Sequence, residues 1–149
     1  MRKLILVFFI LALACNKPQE MDIEYEKEQI QKHTQSWSEF VSPEDYMNHV
    51  TEDFIYISQS ANYLIADNDS MYRLIERLVE RGDFVCPVWS TKELIIRNNM
   101  AVHKYYAEAE FYSNENDSLY YQDKRMLVDI LKKTKEGWKT SVHMFYILD

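Results

Sequence analysis

Four histidines, a carboxylate set inside an apolar run and one mid-chain cysteine are the side chains of this sequence suited to moving a proton or attacking a carbon. The carboxylate is Asp129, which interrupts Met126-Leu127-Val128-Asp129-Ile130-Leu131, with Arg125 four residues earlier on the same strand face. A carboxyl in such a setting has its pKa raised by desolvation or lowered by a cation, and either shift suits acid-base chemistry. Alternation, however, favours Met126, Val128 and Ile130 as the core set, which predicts Arg125 and Asp129 on the outer face with Leu127 and Leu131. His103 and His143 fall in long strand segments, where each is a pocket acid, a pocket base or a core histidine bonded to a backbone carbonyl. His33 and His49 fall in helical segments and are read as structural. His143, His103 and Asp129 are therefore the candidate catalytic residues. Cys86 sits in Phe84-Val85-Cys86-Pro87-Val88, with no histidine or cation nearby in sequence to lower its pKa, and reads as a buried, inert thiol. No two histidines stand at ligand spacing beside an acidic partner, so neither a metal site nor a cofactor is expected.

The elements that must position these groups are legible from periodicity and punctuation. From Glu24 to Val41, Ile30, Trp37 and Val41 recur at helical spacing among Glu, Lys and Gln, which predicts an amphipathic helix. Ser42 is a good N-cap, Pro43 suits the first helical position, and Glu44 and Asp45 suit the positive end of the helix dipole. A short second helix is expected to run to about Val50. Phe54 to Ser58 reads as a strand, continued after a turn by Tyr63-Leu64-Ile65. Past the caps offered by Asp67 to Ser70, Met71, Leu74, Ile75, Leu78 and Val79 line one face of a third helix that Gly82 ends.

Four strands are expected beyond Pro87: Trp89 to Arg97, Met100 to Tyr112, Tyr121 to Lys133 and Trp138 to Leu148. They are joined at Asn98-Asn99, Ser113 to Asp117 and Thr134 to Gly137. Asparagine tolerates positive φ, which allows tight hairpins in a chain with only two glycines. In the segment Met100 to Tyr112, one face carries Ala101, His103, Tyr105, Ala107, Ala109 and Phe111, and this face is read as inward. Small Ala107 and Ala109 leave room for an apposed helix.

The first fifteen residues, MRKLILVFFILALAC, read as a bacterial lipoprotein signal: Arg2 and Lys3, an apolar run from Leu4 to Leu13, then Ala14 before Cys15. The run is too short to span a bilayer. The alternative is an ordinary secretory signal cut nearby. The expected organisation is a signal peptide over 1–14, a tether over 15–23 with Cys15 lipidated, and one domain over 24–149, lipid-anchored in the cell envelope on its periplasmic or outer-membrane face. Removing the signal takes two of the 17 basic residues and none of the 24 acidic ones, a net charge of −9. Nucleic acid is therefore not expected as a partner.

With a long first helix bearing Trp37, an acidic pair ahead of an apolar strand in Glu52-Asp53-Phe54-Ile55-Tyr56, and the ending Lys133-Thr134-Lys135-Glu136-Gly137-Trp138-Lys139, the chain resembles the nuclear transport factor 2-like superfamily, particularly its SnoaL-like branch. The resemblance covers roughly Glu24 to Ile147. It implies an α+β fold, a cone-shaped curved antiparallel sheet packed against N-terminal helices, with a pocket in the cone and dimerisation through the outer face of the sheet. A plain cystatin-like sheet around one helix, without a usable cavity, is the alternative. The fold does not imply catalysis. Tyr56, Ile57 and Ser58 stand where the steroid-isomerase branch needs its carboxylate base, so that pattern is not supported.

Eleven tyrosines, seven phenylalanines and three tryptophans supply core and half-wet sheet faces. Trp37, Tyr56, Trp89, Tyr105 and His143 are expected to line the pocket. The leading functional expectation is a non-catalytic binding or accessory domain for a small apolar or amphipathic ligand. The alternatives are a SnoaL-like acid-base enzyme of isomerase, cyclase or dehydratase type, and a protein-interaction domain acting as a homodimer.

Overall fold

The computed structural model describes residues 22–37, 42–58, 63–65 and 67–148. Helix α1 spans Ile23–Trp37, α2 Pro43–Asn48 and α3 Asn68–Arg81. The strands are β1 Val50–Ser58, β2 Tyr63–Ile65, β3 Gly82–Arg97, β4 Met100–Ser113, β5 Leu119–Thr134 and β6 Gly137–Ile147. One six-stranded sheet runs β2-β1-β6-β5-β4-β3. Its last four strands form the expected antiparallel meander, and β1 joins it parallel to β6, a pairing the sequence did not announce. The fold class is α+β, with a curved mixed sheet and N-terminal helices. The signal, residues 15–21 of the expected tether with Cys15, the Trp37 side chain and residues 38–41 of the expected first helix lie outside the described residues, while Ile23, expected in the tether, opens α1.

The caps behave as their chemistry demands. Ser42 accepts from the Asp45 N–H at 3.1 Å, with Pro43 leading α2, and Asp67 accepts from the Ser70 N–H at 2.7 Å at the start of α3. Among the boundaries that differ from expectation, two have a plain cause. The second helix stops at Asn48, because His49 caps it and Val50 is already paired with Thr140 of β6. β3 begins at Gly82, well before Trp89. Pro87 is tolerated because β3 is an edge strand and the ladder shifts register between Val85 and Val88, just where the missing N–H falls.

Glycine is required at position 82. Its φ is 156°, and a Cβ there would lie 1.6 Å from the Tyr112 carbonyl oxygen. At the β3–β4 turn Asn98 adopts φ 54°, the left-handed conformation assigned to it from sequence.

The core divides along the length of the sheet. Ile30 of α1 is buried on Ala101, Leu131 and Trp138 at one end, while Tyr46, Val50, Phe54, Met71 and Ile75 knit α2, α3 and β1 together. Complete burial of a side chain such as Ile30 contributes roughly 1.5–3 kcal/mol. The start of α1 is tied down by Glu26, which accepts from the Trp138 indole N–H at 2.7 Å and pairs with Lys133. The Lys133 hydrogen bond holds the Glu26 carboxyl below the usual carboxylate range. Between these regions Tyr105, Ala107, Leu127 and Phe145 form a third cluster bordered by Tyr56, Cys86 and Trp89.

The inward face of β4 is the expected one: Ala101, His103, Tyr105, Ala107 and Ala109 are buried. The face of β5 is the reverse of the expectation. Leu127, Asp129 and Leu131 point inward and are buried, whereas Met126, Val128 and Ile130 are only partly so. Cross-strand partners share a face, and β4 places Ala101 opposite Leu131, His103 opposite Asp129 and Tyr105 opposite Leu127. Both faces of β5 are apolar, so its own alternation could not decide, and the register to β4 does.

Candidate active site

One row of inward-facing positions crosses the middle of the sheet. Tyr56 of β1 stands beside His143 of β6, His143 beside Asp129 of β5, and Asp129 beside His103 of β4. Asp129 is wholly buried and His143 nearly so. The carboxylate of Asp129 accepts from His143 Nδ1 at 2.7 Å through Oδ1 and from the Tyr105 hydroxyl at 3.0 Å through Oδ2. A carboxylate only accepts, so the imidazole donates from Nδ1, and Nε2 is the ring nitrogen left to exchange a proton. Burial pushes the Tyr105 phenol well above its ordinary pKa, and the charge of Asp129 adds to the shift, which keeps Tyr105 a donor. The Tyr56 ring stacks on the imidazole at 5.6 Å, 21° from parallel, and Phe145 lies 6.0 Å from it.

His143 lines a partly enclosed cavity of about 90 Å³. Around it stand Tyr56, Trp89 and Tyr105 from the sheet, Tyr46 from α2, and Met71, Ile75 and Leu78 from α3, with Phe84, Phe111 and Arg125 further along the strands. Four of the five residues expected in the pocket are thus brought together, and only the side chain of Trp37 falls outside the described residues. Cys86 lines the same cavity and is half-buried rather than fully enclosed. A chain that folds α3 across the open side of a bent meander leaves such a hollow where Ala107 contributes almost no volume to the sheet face.

His103 has a different environment from His143. Its Nδ1 meets the Thr34 hydroxyl and its Nε2 the Thr91 hydroxyl, both at 2.9 Å, and Gln31 reaches Thr91 at 3.4 Å. Hydroxyls both donate and accept, so a neutral ring is satisfied in either tautomer. Burial lowers its pKa, opposed by the charge of Asp129. His103 therefore fastens α1 to β3 and β4 behind the cavity and does not line it. His33, whose Nε2 meets Thr140 at 3.0 Å, lies 5.5 Å from the ring of His49. Burial, with His49 adding to it, pushes its pKa down to about 4. Among the described residues no three His, Cys, Asp or Glu side chains gather as metal ligands, and no helix is long and apolar enough to cross a membrane.

The outer-face placement of Arg125 and Asp129 is corrected at the site as well: both face inward, one at the cavity wall and the other beneath His143. The link from Tyr105 through Asp129 to His143 escaped the sequence, because a register shift between Phe111 and Tyr112 offsets any pairing counted back from the Ser113–Asp117 turn. The roles of Arg125, Phe84 and Phe111 left no comparable signal.

No protein family's sequence profile matches the chain, and no curated protein matches it. Solved structures do. A ketosteroid isomerase-like protein from Erwinia carotovora atroseptica superposes with TM-score 0.66 at 10% identity, covering 87% of this chain and 98% of that one. An NTF2-like protein with a cystatin-like fold from Novosphingobium aromaticivorans gives 0.68 at 12%, covering 85% and 84%. The fold is nuclear transport factor 2-like. A putative dehydratase of the NTF2-like family from Streptomyces avermitilis gives 0.68 at 9%, covering 84% and 97%. At these identities the nuclear transport factor 2-like fold is what the likeness establishes, and the chemistry must come from the site.

Proposed function

We propose that this chain is an acid-base enzyme that moves a proton on a small, largely apolar substrate, with His143 as the base. One observation carries the reading: an imidazole lining an apolar cavity has its Nδ1 anchored to the buried carboxylate of Asp129. Asp129 and Tyr105 are positioning residues. Asp129 selects the tautomer and stabilises the imidazolium, and Tyr105 holds the second carboxylate oxygen. His143 Nε2 takes a proton from a carbon of the substrate, and the C–H electron pair passes into the substrate. In an isomerisation the imidazolium returns that proton at another carbon. In a dehydration it gives the proton to the leaving hydroxyl, which departs as water. The names borne by two structural neighbours, isomerase-like and putative dehydratase, supply the reaction panel with which to begin.

The lipobox-like Ala12-Leu13-Ala14-Cys15 supports a lipid-anchored enzyme in the cell envelope. A partly apolar row on the outer sheet face, Ile95, Val102, Ile130 and Val142 on adjacent strands, supports a homodimer. A non-catalytic binding domain is the second reading, favoured by the mostly aromatic and aliphatic cavity wall.

The test is deuterium wash-in followed by proton NMR on small ketones, aldehydes and β-hydroxy carbonyl compounds, with the full-length chain and its His143→Gln and Asp129→Asn variants. Exchange or elimination is expected to fall 10²–10⁴-fold in both variants. A ligand that raises the melting temperature of the wild type without being turned over would establish the binding reading instead.

A further inference from the structure

We infer that Arg125 is the polar anchor of the cavity and that the ligand is a small uncharged carbonyl compound whose oxygen accepts from Nη1. The inference rests on the acid-base reading for the reacting end of the ligand and adds the group that holds the other end.

Arg125 and Asp123 lie on the inward face of β5, two residues apart, with side chains only 14% and 4% exposed. Nε donates to Asp123 Oδ1 at 2.5 Å and Nη2 to Oδ2 at 2.7 Å, a two-pronged contact that locks the guanidinium plane. That contact uses one edge of the fork. Among the described residues nothing accepts from Nη1, although Arg125 lines the cavity. Rings surround the cation: Phe145, Phe111 and Phe84 have centroids 4.8, 5.3 and 5.8 Å from Cζ. These rings pack around the cation and leave Nη1 as a donor ready for an acceptor. Phe145 also lies 6.0 Å from His143, so one aromatic wall joins the anchor to the base.

Charge decides the ligand class. Asp123 already balances Arg125, and Asp129 is already paired with His143. A carboxylate or phosphate entering this cavity would bring a charge that no cation without a carboxylate partner is there to receive. A carbonyl oxygen accepts without adding charge. Size agrees: about 90 Å³ is less than the roughly 150 Å³ cavity that takes up benzene, so the cavity encloses about three or four heavy atoms of the ligand and the rest sits at its open side.

The probes are cyclopentanone, methylcyclopentane and cyclopentanecarboxylate, titrated into the full-length chain while the Trp89 indole and Arg125 Nε–H resonances are followed. Cyclopentanone is expected to bind about tenfold more tightly than methylcyclopentane, with the carboxylate weakest. In the Asp123→Leu/Arg125→Met double variant, which removes both charges together and avoids stranding either, the ketone preference is expected to vanish while methylcyclopentane still binds. Equal binding of ketone and hydrocarbon, tightest binding of the carboxylate, failure of all three to bind, or a ketone preference that survives in the double variant would each overturn the inference. Proton exchange is scored separately. Ketone binding that depends on Arg125, without exchange that depends on His143, would leave the anchor standing and refute only the catalytic reading.

Discussion

Replacing Asp129 with asparagine separates chemistry from folding at this site. The carboxylate accepts two hydrogen bonds inside a fully buried pocket, from His143 Nδ1 at 2.7 Å and the Tyr105 hydroxyl at 3.0 Å. Asparagine has the same shape. Its oxygen still accepts from Tyr105, and its amide N–H faces His143 only if the imidazole gives up the Nδ1 proton and carries it on Nε2 instead. Two bonds to a charged group, worth about 1.5–3 kcal/mol each, then become neutral ones worth about 0.5–1.5 kcal/mol. Removing a buried charge offsets part of that loss, which leaves an expected destabilisation of about 1–2 kcal/mol. Asp129→Ala strands both donors in a dry site and is expected to cost about 3–5 kcal/mol. Catalysis should follow a different order, because the inverted tautomer presents a proton where a lone pair is required. Asp129→Asn should lose at least about 100-fold in proton exchange despite its mild cost in stability. Urea unfolding and the exchange assay measure the two quantities on one sample. An Asp129→Asn protein that keeps wild-type turnover, or an Asp129→Ala protein destabilised by less than about 1 kcal/mol, would refute the reasoning.

Three further outcomes follow from the same contacts. Tyr105→Phe should cost about 1–3 kcal/mol in urea unfolding but almost nothing more in an Asp129→Ala background, a coupling that a double-mutant cycle reads directly. His33 has its folded pKa depressed to about 4 against 6.5 when exposed, so between those values the unfolded chain binds more protons than the folded one. Stability is therefore lost as pH falls from about 6.5 to 4, by up to about 3 kcal/mol, and His33→Gln should flatten that part of a pH series of urea melts. His103, shifted in the same direction by burial, contributes with the same sign. Gly82→Ala drives a Cβ into the Tyr112 carbonyl at φ 156° and should cost more than about 1 kcal/mol, measured by thermal melting, because β3 and β4 must part to admit it.

Local rules of the sequence carried most of the fold. The caps at Ser42 and Asp67, the stop at Gly82 and the turn at Asn98 each depend on one residue's own chemistry, and each stands where that chemistry put it. The inward face of β4 was legible because small and aromatic residues alternate there with Lys104, Glu108 and Glu110. β5 was not, because Met126, Val128 and Ile130 are as apolar as Leu127 and Leu131, and only pairing with β4 decides which set faces in. That one face governs the site. Read outward, Asp129 is a solvated charge beside Arg125, but read inward it is the carboxylate beneath His143. His103 shows the converse limit. Its strand position was plain, but the hydroxyls that occupy it come from Thr34 and Thr91, 69 and 12 residues away in sequence, and only the tertiary structure brings them together.

The tautomer of His143 tests the account most directly. In a long-range proton–nitrogen NMR correlation on histidine-labelled protein near neutral pH, His143 should show a protonated Nδ1 and a lone pair on Nε2, and Asp129→Asn should exchange the two. A wild-type His143 with its proton on Nε2 would contradict both the hold of Asp129 on the ring and the assignment of that ring as the base.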